Sequence, residues 1–293
     1  MKSTLVSLVF ACVTCVALPH AQQQASGSRE RDIYVSVVDS KGVAVPGLTA
    51  ADFTVKEDGV GREVSKAVPA TEPFNVILLV DDSQASTAAI PYLRDGLTHF
   101  MDLVQGKGKV GIVTVGERPT SLLESTSDLA AQKKAIGRLF ARPGSGAYLL
   151  DGIVEVCKGI RLRNTSRAHI VALSVEAVEF SNLHKESVMK DLLASGATLH
   201  VLAIGSPASV ESDEMRNRAM VIADGTEQTG GRREQLLTPM AIDDHLTRLA
   251  GELANQYLVT YARPESLIQP EKVQVSVTKP GLTARARTRL LDK

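Results

Sequence analysis

The stretch Phe74–Thr87 reads FNVILLVDDSQAST, and it decides the fold class. A short apolar run ends in two aspartates and a serine, and a long amphipathic segment follows. Such a run is typical of a buried parallel strand that delivers polar groups to the carboxyl edge of an open α/β sheet. Ligands of such sheets bind at that edge, outside the strand ends. The stretch therefore predicts both a fold class and a candidate site.

Apolar runs and helical patterns alternate along the rest of the central region. Strands are predicted at Asn75–Val80, Lys109–Val115, His169–Ser174 and Thr198–Ile204. Helices are predicted at Thr87–Val104, Asp128–Phe140, Ala147–Ile160, Leu183–Ala194 and Ala241–Ala254. Residues 206–238 are polar and are predicted to be irregular. The alternation predicts an α/β fold with a mostly parallel sheet and helices on both faces.

Strand patterns also occur at both ends of the chain. They are Ile33–Val38 and Phe53–Val55 before the central region, and Tyr257–Tyr261, Lys272–Thr278 and Thr283–Leu290 after it. Neither set is long enough to bury a core of its own. We therefore predict that residues 31–70 and 256–293 pair into one small β module, which flanks an α/β domain at residues 71–255.

The first 21 residues have the pattern of an export signal. Lys2 supplies a positive start, Leu5–Leu18 is apolar and Ala21 is a small residue suited to cleavage. The apolar run is shorter than the roughly 20 residues that span a bilayer. Residues 1–21 are therefore predicted to be a signal peptide and 22–30 a linker. The mature chain is expected to have no transmembrane helix and to be periplasmic or secreted.

Cleavage of this signal would remove two of the three cysteines, Cys12 and Cys15. Cys157 then remains alone in an apolar helical stretch, so we predict a buried structural thiol and no disulfide. The formal net charge of the chain is zero. Lys plus Arg equals Asp plus Glu at 33 each, which gives no reason to expect a nucleic-acid partner.

Three motifs occur in order along the chain. Residues 47–59 read GLTAADFTVKEDG, residues 229–231 read TGG, and Asn255-Gln256-Tyr257 opens the closing strand. Together they resemble a bacterial family of exported von Willebrand factor A-related proteins. The resemblance implies a von Willebrand factor A-type, Rossmann-like domain with a role in binding other molecules.

The resemblance also implies a divalent-metal adhesion site with oxygen ligands from three loops. Asp81 and Ser83 match the D-x-S-x-S pattern of the first loop, but the next serine position holds Ala85. The threonine of the second loop is replaced by Ala147 and the aspartate of the third by Val175. Three of the five expected ligands cannot coordinate, so the adhesion site is predicted to be degenerate and no metal or other cofactor is expected.

In the preferred interpretation, the polar residues at this edge cap the first helix or bind neighbouring backbone amides. The candidate binding residues are Asp81, Asp82, Ser83, Ser86, Ser145 and Glu176. An alternative keeps a metal-dependent adhesion function, with Mg²⁺ or Mn²⁺ held in a rearranged site by Asp81, Ser83, Ser86 and Glu176. The two interpretations differ in whether Ser86 and Glu176 converge on Asp81 and Ser83 in space.

A second candidate surface is a stripe of arginines near the C-terminus. In an extended strand, Arg285, Arg287 and Arg289 would share one face about 7 Å apart, suited to an acidic partner. The simpler interpretation is a solvated face or charges that protect an edge strand.

Catalytic patterns are weak. Gly106–Gly111 spells G-x-G-x-x-G but stands between a helix and a strand, which predicts a turn. Gly144-Ser145-Gly146 lacks the G-x-S-x-G elbow, and the histidines show no metal spacing. An uncharacterised hydrolase is the third and least favoured hypothesis, and we do not expect an enzyme. We expect an exported, non-catalytic module that binds another protein or a surface polymer.

Overall fold

A computed structural model describes residues 28–207, 209, 212–264 and 268–289. The predicted signal peptide and residues 22–27 of the predicted linker lie outside these ranges. In the described part, no helix has the length and apolarity needed to cross a membrane.

Helices and strands alternate through the central region. The helices are α1 Ile90–Val104, α2 Leu129–Ile136, α3 Leu149–Leu162, α4 Lys185–Ser195, α5 Asp213–Thr229 and α6 Ile242–Ala254. The strands are β1 Ser28–Val38, β2 Phe53–Glu57, β3 Val60–Arg62, β4 Val64–Pro69, β5 Phe74–Val80, β6 Gly108–Thr114, β7 Thr120–Thr126, β8 Ala168–Val175, β9 Thr198–Ile204, β10 Arg233–Leu236, β11 Tyr257–Pro264, β12 Val273–Val277 and β13 Thr283–Ala286.

The central sheet has the order β10-β9-β8-β5-β6-β7. All neighbours in it pair in parallel except β7, which is an antiparallel edge strand. Helices α1, α2 and α6 cover one face, where Leu93 and Phe100 meet Val76 and Leu78 of β5. Helices α3, α4 and α5 cover the other, around Leu79 and Cys157. The predicted α/β fold with helices on both faces is confirmed.

The terminal strands pair with each other, as predicted, and they form two antiparallel sheets. One has the order β13-β1-β11-β4 and the other β12-β2-β3, so strands from both ends of the chain are neighbours. Their shared core includes Val35, Phe53, Tyr257 and Val259. The Tyr257 hydroxyl donates to the Val45 carbonyl at 2.7 Å and accepts from the Leu48 amide at 3.1 Å. The β module thus depends on both termini, while the domain limits at residues 71 and 255 stay predictions.

The prediction of an irregular segment at 206–238 was wrong. This segment contains the 17-residue helix α5 and strand β10. Ser212 caps the helix by accepting a hydrogen bond from Met215 N at 3.2 Å. Polar or small residues occupy much of its buried face, which conceals the apolar period that predicts a helix. The buried positions are Met215, Arg218, Val221, Ile222, Gly225, Thr226 and Thr229.

The TGG motif ends α5 and fixes it to its neighbours. The Thr229 hydroxyl accepts from Leu199 N at 2.9 Å and donates to Gly225 O at 2.6 Å. Gly230 is left-handed, with φ of 76°, and a Cβ there would lie 2.3 Å from the backbone carbon of Ala286. A Cβ on Gly231 would lie 1.7 Å from the Leu199 carbonyl oxygen. The motif therefore brings α5, β9 and β13 into backbone contact and has a structural role.

Two further sequence predictions concern the Cys157 thiol and the turn at Gly106. Cys157 is fully buried on α3, and burial raises the pKa of its thiol to about 11, as expected for a structural thiol. The predicted turn at Gly106–Gly111 is found only at its start. Gly106 is left-handed, with φ of 73°, between α1 and β6, whereas Gly108–Gly111 belong to β6.

Candidate functional site

The carboxyl edge of the central sheet is formed by the loops that follow β5, β6, β8, β9 and β10, together with residues 137–148. At this edge β5 leads to α1 on one face, while its neighbour β8 leads to α4 on the other. The segments that follow β5 and β8 diverge there and leave a crevice. Open α/β sheets bind ligands in such a crevice. Asp81 and Val175 lie on the two sides of this crevice.

Asp81 is fully buried and bridges the crevice. Its Oδ1 accepts from Ser83 N at 2.9 Å, and its Oδ2 accepts from Val175 N at 3.0 Å. Its own backbone amide donates to Leu173 O on β8 at 2.9 Å. The carboxylate therefore holds the β5 and β8 ends together through backbone amides.

Asp82 turns toward the other side of β5. Its Oδ1 accepts from Gly116 N at 2.6 Å, and its Oδ2 is paired with Arg142 Nε at 2.7 Å. A Cβ at Gly116 would lie 2.5 Å from Asp82 Oδ1, so glycine is required for this approach. Arg142 also donates its backbone amide to Asp82 O at 2.9 Å. The hydrogen bond that Arg142 donates to Asp82 raises the pKa of Arg142, so a fixed cation stays at this edge.

The serines at this edge have different surroundings. Ser86 Oγ donates to Ser83 O at 2.7 Å, and Ser145 Oγ donates to Arg142 O at 2.9 Å. Ser83 Oγ is buried and has no hydrogen-bond partner among the described residues. Two of the three hydroxyls thus stabilise loop backbone, and the third is an unpartnered oxygen.

Glu176 is bound by helix α5. Arg218 Nη1 lies 3.1 Å from Glu176 Oε2, and its Nη2 donates to Ser174 Oγ at 3.2 Å. The same guanidinium lies 3.8 Å from Glu179 Oε2, and burial raises the pKa of Glu179. Arg218, Glu176 and Glu179 are therefore a largely buried charge cluster that supports the loop after β8.

The predicted candidate residues share one edge of the sheet but do not present free oxygens toward a common centre. Both Asp81 oxygens accept backbone amides, the Ser86 hydroxyl contacts a carbonyl, and Arg218 binds Glu176. A hard divalent cation needs several oxygen ligands. Ser83 Oγ is a single neutral one, so this donor set fits a cation poorly. In the described ranges, no three His, Cys, Asp or Glu side chains are grouped to hold a metal.

Sequence reasoning missed three residues that complete this edge: Gly116, Arg142 and Arg218. Arg142 and Gly116 lie in loops without a motif. Arg218 lies in the segment predicted to be irregular, where an arginine among acidic and polar residues gives no signal. Their roles depend on contacts with residues 34 to 60 positions away, which no local pattern encodes.

Exposed apolar side chains lie at the same end of the sheet as the candidate residues. In the described part of the chain, large hydrophobic side chains are exposed at ten positions, and six of these lie at the carboxyl edge or in the first turn of α1: Tyr92, Phe140, Val178, Phe180, Leu237 and Met240. Phe180 stacks on Tyr148 with ring centroids 5.9 Å apart. A Cβ on Gly146 would lie 2.1 Å from the Phe180 ring, so Gly146 leaves the space that this ring occupies.

The predicted arginine face is wrong for two of its three members. Strand β13 ends at Ala286, and the chain then turns away. Arg285 Nη2 is paired with the buried Glu252 at 2.7 Å. Arg287 donates to Leu193 O at 3.3 Å and Ala197 O at 3.1 Å, at the end of α4. Only Arg289 is exposed. The guanidiniums bind internal groups and form no common outer face.

Comparisons with known proteins identify the fold. A von Willebrand factor type A protein from Catenulispora acidiphila superposes with a TM-score of 0.52 at 14% identity, over 91% of this chain and 76% of its own. The conserved hypothetical protein BatB from Bacteroides thetaiotaomicron superposes with a TM-score of 0.48 at 13% identity, over 62% of this chain and 98% of its own. The pilus adhesin SpaC from Lactobacillus rhamnosus GG does so with a TM-score of 0.49 at 10% identity, over 82% and 48%.

No protein-family model matches the sequence, and no curated protein does. The similarity to the Catenulispora protein shows that the chain has a von Willebrand factor A-type fold.

Proposed function

We propose that this chain is an exported, non-catalytic module that binds another protein through the carboxyl edge of its central sheet, without a metal ion. The observation that carries the proposal is the group of exposed apolar side chains at that edge. Exposed apolar area that is gathered in one place marks interaction surfaces in soluble proteins. Aromatic and methionine side chains, here Phe140, Phe180 and Met240, are also enriched at protein interfaces.

Metal independence rests on the donor set. Each Asp81 carboxylate oxygen already accepts a backbone amide, and Asp82 is paired with Arg142. A cation at this edge would have to displace those amides and tolerate a neighbouring guanidinium. Export rests on the sequence of residues 1–21.

One observation favours the alternative of metal-dependent adhesion. Ser83 Oγ is buried and unpartnered among the described residues, at a position where the related domains place a ligand hydroxyl. A cation held by Ser83 with a rearranged Asp81 would give this oxygen a partner.

Site-specific photo-crosslinking in the native host tests whether a protein docks at the carboxyl edge of the central sheet. A photoreactive amino acid is placed at Phe180 or Met240, which are 51% and 67% exposed. Matched controls carry it at Leu162 or Val60, which are 87% and 57% exposed but lie away from the edge. We expect one and the same protein to be crosslinked from both edge positions, from neither control, and equally with or without EDTA.

A crosslink pattern that is the same at all four positions would contradict a docking role for this edge. Crosslinking that EDTA abolishes would instead favour metal-dependent adhesion. A purified partner should then lose affinity for a Phe180→Ser, Met240→Ser variant and keep it for a Leu162→Ser, Val60→Ser variant.

A further inference from the structure

A cavity lies at the opposite end of the molecule from the candidate site, between the amino edge of the central sheet and the β module. Its volume is about 790 Å³, within the range of ligand sites. One wall is formed by six consecutive residues of β1, Arg29–Tyr34, and another by Thr198, Gly230 and Arg287. The cavity therefore follows a strand for about 20 Å.

The β1 residues along this wall have a free sheet edge. Strand β11 pairs with Ser28–Val35 on one side, whereas β13 pairs only with Val35–Val38 on the other. After Ala286 the chain leaves β1, and Thr288 N donates to Gln228 O on α5 at 3.0 Å. No described strand pairs with the outer edge of Arg29–Tyr34. Such an edge is a template for an added strand.

The charged groups at the cavity favour an acidic occupant. Arg31 Nε is buried and has no hydrogen-bond partner in the described part. Arg287 donates only to carbonyls, and burial without a described carboxylate partner lowers its pKa to about 10. These two partly buried guanidiniums thus have no carboxylate partner in the described part of the chain, although charges removed from water are normally paired.

Apart from Arg29, which is exposed, the other charged groups at the cavity have protein partners. Arg263 is paired with Glu57 at 3.1 Å and Arg285 with Glu252 at 2.7 Å. Asp32 Oδ1 accepts from Thr260 Oγ1 at 2.6 Å, and Glu30 accepts from Ser65 Oγ at 3.4 Å. The carboxylates of β1 accept hydroxyl groups of β11 and β4 and keep their charge. Arginine is nevertheless in excess, because five arginines and two carboxylates line the cavity.

We propose that this cavity binds an extended acidic segment of a partner protein, which adds to the free edge of β1 as a further strand. The strand would hydrogen-bond to the β1 backbone, and its carboxylates would pair with Arg31 and Arg287. This site is separate from the carboxyl edge of the central sheet.

The test uses the purified full chain and labelled eight-residue peptides of alternating glutamate and threonine. Fluorescence anisotropy should show saturable binding that weakens with salt. A lysine–threonine peptide should not bind. A glutamate–threonine peptide with N-methyl groups on alternate amides keeps its charge but loses strand hydrogen bonds, and its affinity should fall at least about tenfold.

Two variants assign the site. Arg31→Glu should weaken binding of the acidic peptide at least about tenfold, because it replaces the attractive charge with a repulsive one. Arg289→Glu is the matched control, since this exposed arginine does not line the cavity, and its effect should stay below about twofold. Phe180→Ser with Met240→Ser should leave peptide binding unchanged, which separates this site from the carboxyl edge.

Absence of acidic-peptide binding would overturn the proposal, as would equal binding by Arg31→Glu. Equal binding of the N-methylated peptide would replace an added strand with a simple anion site. Sedimentation velocity tests a further occupant of this edge, a second copy of the chain. The sequence Arg29-Glu30-Arg31-Asp32 is self-complementary in antiparallel pairing, so a dimer that Arg31→Glu dissociates would assign the edge to a second copy instead.

Discussion

The Asp81 carboxylate accepts a hydrogen bond from the backbone amide of Val175 at 3.0 Å, and so it joins the ends of two parallel strands across the crevice of the sheet. Val175 stands at the position where the resemblance to von Willebrand factor A-related proteins implies a ligand aspartate. In this chain its backbone amide binds the aspartate of the first loop. A carboxylate used in this way contributes to the stability of the edge.

Asp81→Ala is expected to lower the free energy of unfolding by about 2–4 kcal/mol, because two buried amides lose a charged acceptor. Urea denaturation at pH 7.5 measures the change. Asp95→Ala, at an exposed position on α1, is the control and should alter stability by less than about 0.5 kcal/mol. Equal stability of the two variants would show that the Asp81 carboxylate is not a structural bridge.

Ser83→Ala separates the metal-free from the metal-dependent interpretation. The Ser83 hydroxyl has no partner among the described residues, so its removal should be neutral or stabilise the fold by up to about 1 kcal/mol. Calorimetric titration of the EDTA-stripped wild type with Mg²⁺ and Mn²⁺ should show no saturable binding.

Saturable binding by the wild type that Ser83→Ala abolishes would establish the alternative. Because Ser83→Ala is expected to keep the fold, this result would not be confused with unfolding. The search for a partner would then move to ligands with an exposed carboxylate.

Apolar strands made the α/β fold predictable from sequence. Strand β9 begins and ends where it was predicted, at Thr198 and Ile204, because continuous apolar runs are buried on both faces. The edge strand β7 was missed. Four of its seven residues are Ser or Thr, and its pairing with β6 is interrupted by irregularities, so it lacks a strand pattern.

The candidate site was less predictable because its partners come from distant loops. Asp81 and Ser83 were identified from a local motif, and their expected contacts with backbone amides were partly right, since Asp81 binds Ser83 N and Val175 N. The pairing of Asp82 with Arg142 depends on how residues 137–148 fold over the edge. A sequence period reports which face is buried, but it does not report such contacts.

A buried histidine pair should make stability depend on pH. His200 Nδ1 accepts from Arg232 N at 3.2 Å, so its Nε2 carries the proton and donates to His169 Nδ1 at 3.3 Å. Burial lowers the pKa of His200 to about 3 and that of His169 well below 6.5. Both are therefore neutral in the fold.

The direction of the pH dependence follows from the lowered pKa values of the two histidines. Below pH 6.5 the unfolded chain binds protons that the folded chain does not, so stability is fully present above that pH and declines as pH falls. Between pH 7.5 and 5.5 the loss is about 1.4 kcal/mol per histidine. Burial also lowers the pKa of His245, which adds a loss of the same sign.

Urea denaturation at the two pH values checks the size of this effect. A His169→Gln, His200→Gln variant should lose most of the pH dependence, whatever its absolute stability. His184→Gln, at an exposed position, should keep it. A wild type with equal stability at both pH values would contradict the assignment of two neutral histidines.

The TGG motif gives a matched pair of glycine substitutions. Gly230 and Gly106 have nearly the same backbone, with φ of 76° and 73°, so alanine at either position carries a similar strain of about 1–2 kcal/mol. The two glycines differ in the space available for a Cβ atom. A Cβ at Gly106 meets nothing within 4 Å, whereas one at Gly230 lies 2.3 Å from the Ala286 carbonyl carbon. Backbone cannot move aside as a flexible side chain does.

Gly106→Ala should therefore cost about 1–2 kcal/mol and keep a cooperative unfolding transition. Gly230→Ala should cost at least about 2 kcal/mol more, because α5 must separate from β13. Urea denaturation gives both values, and hydrogen exchange should show faster opening of β13 and the end of α5 only in Gly230→Ala. Equal costs for the two variants would mean that the motif is needed only for its left-handed backbone and not for the close contact between α5 and the β module.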